Sequence, residues 1–392
     1  MKNSDTSENT VVDVVEQFDY STQNEAYNES FITWRRKIDN PYAFNFSRNR
    51  RESIFVEGKG FENKSFAVAE QDSISKIMNV TGIAMLIWIV VDNLVSRLAV
   101  ATFDLFGFDI HTSFFNKALY GGSTEIITTL ILISVLKILL PAYYLRRKLK
   151  LPMRVEFMTT LNHASDMFGA IFMALSVSAI TSIPSIYTNR MREVFDYFKS
   201  INADASVWDQ DQFVVYTVFD IIVVTVLSEL FFRGAVFGAL RQFGDYFAVI
   251  ITSVMSGLLV QDFLEMPAAI MISAVASIGM LRSGSIFTAI FVQAIFKMYR
   301  LAVVLTDAGV NDSLHLRRNS FILIVFLIGA MGASILYLFR KHQDIHRIAE
   351  YHSELTMKER MLIAFKSFPV SIVVCFCLLV AAIQVISQII GA

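Results

Sequence analysis

Residues 1 to about 76 mix polar and charged side chains with scattered aromatics. From about residue 77 onward the pattern changes to apolar runs long enough to cross a bilayer as helices. Nine runs stand out: about 78–100, 123–145, 167–188, 213–232, 246–262, 266–281, 284–305, 320–339 and 367–390. The sixth is short and begins near Pro267; the fourth continues past its apolar run as a helix toward Arg241. The pattern predicts an all-α, polytopic membrane bundle of about nine transmembrane helices. It divides into a polar tail (1–76), three helices (77–212), a central group (213–305) and a C-terminal part with a basic juxtamembrane segment (306–392).

Composition agrees: 54% of residues are hydrophobic and 18% charged, against about 25% charged in a typical soluble domain. With 34 Lys+Arg against 35 Asp+Glu, the net charge is -1. These values exclude a disordered chain, a disulfide scaffold and a basic nucleic-acid binder, so the expected partner is the lipid bilayer and not nucleic acid. Cys375 and Cys377 sit two apart in one run, on different sides of a helix, which argues against a disulfide between them. No charged and apolar leader of the secretory type opens the sequence.

The basic residues give an orientation. With the N-terminus in the cytoplasm, cytoplasmic segments hold 24 Lys/Arg and external segments six, and the other four (Arg97, Lys137, Lys297, Arg300) fall inside spans. A multi-pass protein of the cell membrane with a cytoplasmic N-terminus is expected. The tail is acidic up to Glu29 and basic from Arg35 to Arg51, with Trp34, Tyr42, Phe44 and Phe46 between the charges. It reads as a segment resting on anionic lipid or as a contact for a partner protein.

Charge inside a span costs about 2.5–3.5 kcal/mol on insertion scales. The fourth run carries Asp220 and Glu229, the latter in "VLSELFFRGAVFGALRQFG". Glu229 and Arg233 are four apart and share a helix face. In the seventh run Lys297 follows Gln293 by four residues, and Lys297 lies too deep to snorkel, so pairing with Glu229 or Asp220 across the bundle is expected.

These segments resemble the core of the CPBP family, the CAAX proteases and bacteriocin-processing enzymes. Its members are glutamate-dependent intramembrane endopeptidases. "SELFFRG" (228–234) stands where the family has EExxxR, "SVMSGLLVQD" lies at the spacing of FxxxH, and "GSIFTAIFVQAIFK" (284–297) takes the place of the later His helix. The resemblance implies a catalytic constellation at Ser228, Glu229, Arg233, Val260 or Gln261, Gln293 and Lys297. The departures from it are systematic. The family's first Glu activates water, and here that position is Ser228. The middle His is Val260 or Gln261, and the later His and Asn or Asp are Gln293 and Lys297. No histidine occurs between 213 and 305.

Hydrolysis of a peptide needs a general base and donors aimed at the oxyanion. Gln293 and Lys297 can donate; serine and glutamine cannot accept the full proton. The resemblance therefore implies a degenerate member, a pseudoprotease that binds a membrane peptide or partner protein without cutting it. An active endopeptidase relying on Glu229 and a small-molecule transporter using Asp220, Glu229 and Lys297 are the alternatives. No HExxH motif and no Gly-x-Gly-Asp are present, and no cofactor or metal is expected. His342 and His346, four apart in "RKHQDIHRIAEYHSE", are the one pair with ligand spacing, and a solvated helix explains them.

Overall fold

A computed structural model describes residues 25–37, 40–44, 54–56, 60–62, 66–112, 119–182, 210–263, 265–307, 313–340 and 353–390. His342 and His346 lie outside these residues. Each of the nine apolar runs forms a helix. We number them with the two outlying helices as α1 (Glu25–Arg36), α2 (Phe66–Leu105), α3 (Ser123–Leu149), α4 (Ala164–Ser182), α5 (residues 210–243), α6 (Asp245–Leu258), α7 (Met266–Ser283), α8 (Ile286–Asp307), α9 (Ser313–Arg340), α10 (Met357–Lys366) and α11 (Phe368–Ile390). The protein is an all-α polytopic bundle. Two three-residue antiparallel ladders, Ile54–Val56 with Gly60–Glu62 and Ile110–Thr112 with Leu119–Gly121, are minor additions.

Among the described residues, seven helices are long and apolar enough to span, or eight if the bent pair α10–α11 counts as one. The fifth run falls short because α6 has only 14 residues, which is about 21 Å of helix against about 30 Å of hydrocarbon. The run near Pro267, by contrast, forms the 18-residue α7, with Pro267 in its first turn where its missing N–H costs nothing.

The α5–α8 group is pinned at one end of the bundle. The Asn162 N–H donates to the Ser283 carbonyl (2.9 Å) and the Ile286 N–H to the Met158 carbonyl (2.8 Å). Arg241 pairs with Asp245 at 2.7 Å across the α5–α6 corner. So α6 leaves this end and α7 returns to it. At the flank, α9 packs against α4 through small residues. A Cβ on Gly332 would fall 2.5 Å from the Phe172 ring, and one on Gly329 would fall 2.7 Å from the Ser176 nitrogen, the close helix approach that small residues allow.

The tail also departs from its expected role. Part of it belongs to the core. Trp34 donates from Nε1 to the Leu149 carbonyl (2.9 Å), the Phe44 N–H donates to Gln242 Oε1 (2.7 Å), and Gln242 returns a bond to the Tyr42 carbonyl (3.0 Å). Tyr27, Phe31, Trp34, Arg35 and Phe44 are all buried. Residues 25–37 and 40–44 thus cap the same end of the bundle.

Candidate functional site

The centre of the site is α5. It is not a uniform α-helix: residues Asp220–Val224 and Leu230–Val236 are wound as π-turns. Such bulges re-aim side chains and are often found at functional positions. Between them sits the Ser228–Glu229 pair. Ser228 donates its hydroxyl to the Thr225 carbonyl one turn back (2.9 Å), so this hydroxyl is bonded to its own helix. Glu229 is 1% exposed. Its Oε1 accepts from Arg233 Nη1 at 2.9 Å, and Arg233 Nη2 donates to the Ser273 carbonyl (2.8 Å) and hydroxyl (2.7 Å) on α7. The i,i+4 pairing expected from the sequence is present, and Ser273 is an anchor that the sequence did not single out.

Lys297, about midway along α8, donates to both the Asp220 carboxylate and the Asp220 carbonyl, each at 2.9 Å. Of the two partners expected for it, the closer is Asp220. Glu229 remains near enough to feel the lysine's charge. Both members of the pair are partly accessible, Lys297 at 27% and Asp220 at 34%. Gln293 lies one turn earlier on the same face of α8, half-buried.

Val260 and Gln261 differ in orientation. Helix α6 ends at Leu258, two tight turns follow, and Gln261 takes a left-handed backbone with φ 58°. This twist turns Gln261 inward, 1% exposed, and Val260 outward, 38% exposed. Gln261 Oε1 accepts from Asn93 Nδ2 at 3.4 Å.

Asn93 opens a part of the site that sequence reasoning missed. It lies in a third π-turn, Val91–Val95 of α2. Its neighbour Asp92 pairs with Lys137 of α3 at 3.1 Å, and Lys137 also stands 5.8 Å over the Trp88 ring. The Tyr216 hydroxyl reaches Ser134 and lies in the field of both Asp92 and Asp220, while Lys137 lies in the field of Lys297. Two acid–base pairs therefore sit side by side within α2, α3, α5 and α8. The sign available in the sequence was a lone Asp and a lone Lys in consecutive apolar runs, each needing a partner.

The arrangement can hold and orient polar atoms, through the Lys297 ammonium, the Asp220 carboxylate and the Gln293 amide. It offers no imidazole, and its one deeply buried carboxylate is bound to a guanidinium.

Residues 210–299, that is α5 through most of α8, match the family profile described as Type II CAAX prenyl endopeptidase Rce1-like. No curated protein and no solved structure matches the chain.

Proposed function

From the Rce1-like core at residues 210–299, we propose that this membrane protein is a pseudoprotease that captures a membrane-embedded peptide or partner protein without cleaving it. The observation that carries this reading is the state of the two residues that stand where the family pattern has its Glu pair: the Ser228 hydroxyl is bonded to its own backbone and Glu229 is bound through Oε1 to Arg233 in the interior. Glu229 Oε2 accepts no hydrogen bond, but it is buried with the rest of the side chain, so a general base there would have to work on a water that reaches the interior beside a guanidinium. For binding, the reading draws on the polar atoms of this group. The Asp220–Lys297 pair is accessible and is flanked by the exposed apolar side chains Val218 and Ile222 of α5 and Phe291 and Met298 of α8. This combination suits a transmembrane segment that brings an unpaired backbone amide or polar side chain to the pair.

A photoreactive residue at Ile222 or Phe291 should give a discrete adduct that Lys297→Ala weakens, and one at Leu338 of α9 should not. Cleavage of a reporter peptide by purified protein, abolished by Glu229→Gln, would overturn the reading. Ser228→Glu alone should leave cleavage undetectable, because no histidine stands beside it. A second reading, solute transport, draws support from the two adjacent ion pairs. It predicts uptake that fails in both Lys137→Ala and Lys297→Ala.

A further inference from the structure

A second polar cavity lies outside the Rce1-like segment, where the chain turns from running along the membrane to crossing it. Helix α10 is short and amphipathic. A capping box starts it: the Glu359 N–H donates to Thr356 Oγ1 (3.3 Å), and the Thr356 N–H donates to Glu359 Oε2 (2.8 Å). After Lys366 the chain bends by 82° into the apolar α11. Arg360 fastens α10 to the end of α5, donating to the Phe243 carbonyl at 2.6 Å. On the other side, α2 packs so closely on α11 that a Cβ on Gly82 would fall 2.8 Å from the Val370 nitrogen.

The elbow forms an open cleft of about 550 Å³, within the range of small-molecule sites. Its α2 wall is Gln71, Ser75 and Asn79, spaced four apart and so aligned on one face. Its α10 wall carries Glu359 near the start and Lys366 at the end, about 10 Å apart along the axis. Asn79 accepts the Ser367 hydroxyl on Oδ1 (2.6 Å), which leaves its amide N–H groups toward the cavity. Lys366 forms no ion pair among the described residues. Leu362 and Phe368 form the lip, 50% and 77% exposed.

We propose that this cavity binds the headgroup of a glycerophospholipid carrying both a phosphate and a primary ammonium. Lys366 and the amide of Asn79 hold the phosphate, Gln71 and Ser75 complete the polar wall, and the Glu359 carboxylate receives the ammonium. Leu362 and Phe368 lie along the acyl chains. Three features select this occupant. The cleft lies at the polar end of the apolar α11, where a spanning helix meets headgroups. It offers one cation and one anion separated along the helix. Its rim is apolar, which a free phosphate would not use. A purely anionic headgroup would meet Glu359 with no second cation to offset it.

The test is lipid retention by the full-length protein, read by native mass spectrometry after exchange into vesicles of phosphatidylethanolamine, phosphatidylcholine or phosphatidylglycerol. Phosphatidylethanolamine should be retained over the other two. Lys366→Gln should cut retention about tenfold, the loss of one charge-assisted contact. Glu359→Gln keeps the capping box, since Gln serves there as well as Glu, so the thermal midpoint should hold while the preference for ethanolamine over choline disappears. Equal retention of phosphatidylglycerol, unchanged retention in both variants, or equal competition by soluble glycerophosphoethanolamine would each overturn the proposal.

Discussion

Glu229 and Arg233 are worth more to each other than to any substrate. Both are sealed from solvent, at 1% exposure each, and removing one partner of such a pair costs about 3–5 kcal/mol because the other charge is left buried. Glu229→Ala should therefore lower the unfolding midpoint in detergent sharply, and Glu229→Gln, which keeps an acceptor, should lower it less. Equal, small effects would show that the pair is not holding α5 to α7. Glu156 gives a prediction of a different kind. It lies in the loop between α3 and α4, and burial raises its carboxyl above the ordinary range, partly offset by Arg146 at 4.0 Å. A carboxyl raised on folding holds its proton more tightly in the folded state. Its effect is absent below the unfolded pKa and costs stability as pH rises through the raised value. Glu156→Gln should match the parent near pH 4 and become progressively more stable than it toward pH 8, measured as the difference in thermal midpoint. Of these residues the sequence made the Glu229–Arg233 contact legible, because spacing along one helix suffices. It left Asp92–Lys137 unread because joining two runs requires knowing which helices are neighbours.

At the scale of elements, α5 owes its shape to what it packs against. A Cβ on Gly234 would fall 2.9 Å from the Glu156 carbonyl oxygen, a backbone atom that cannot swing aside. A Cβ on Gly238, one turn on, would meet only ordinary contacts, the nearest being 3.6 Å away at a Val155 methyl. Gly234→Ala should push the 153–156 turn off α5 and destabilise the protein. Gly238→Ala should be neutral or gain up to about 1 kcal/mol of helix propensity. Paired unfolding measurements check both, and a reversed order would refute the packing. The helical identity of α5, and its run past the apolar stretch to Arg241, were legible from hydrophobicity alone. The three π-turns were not: each holds a residue paired with another helix, Asp92, Asp220 or Arg233, and such tertiary contacts leave no mark in the apolar pattern. Similarly, "SVMSGLLVQD" left Val260 and Gln261 as equals, and only the left-handed turn at Gln261 separates them.

At the scale of the whole molecule, the sequence showed nine helical runs and their order, and it could not show that residues 25–37 and 40–44 close one end. That closure depends on a few anchors, Trp34 on Leu149 and Phe44 on Gln242, which leave no trace in composition. The capped end also gathers charge: Arg146, Arg147, Lys148 and Arg154 near α3, Arg241 on α5, and Lys358 and Lys366 on α10. Basic residues near span ends favour the cytoplasm. The shortness of α6 does not alter this assignment, since α6 starts and α7 finishes at the same end, so sidedness after α7 is unchanged whether or not α6 reaches the far face. With Cys375 and Cys377 replaced by serine, a membrane-impermeant maleimide should label Phe106→Cys, an exposed position at the opposite end, in intact cells. Lys148→Cys, exposed at the capped end, should label only after permeabilisation. The reverse pattern would place the capped end, and with it the lipid cavity at α10, on the outside.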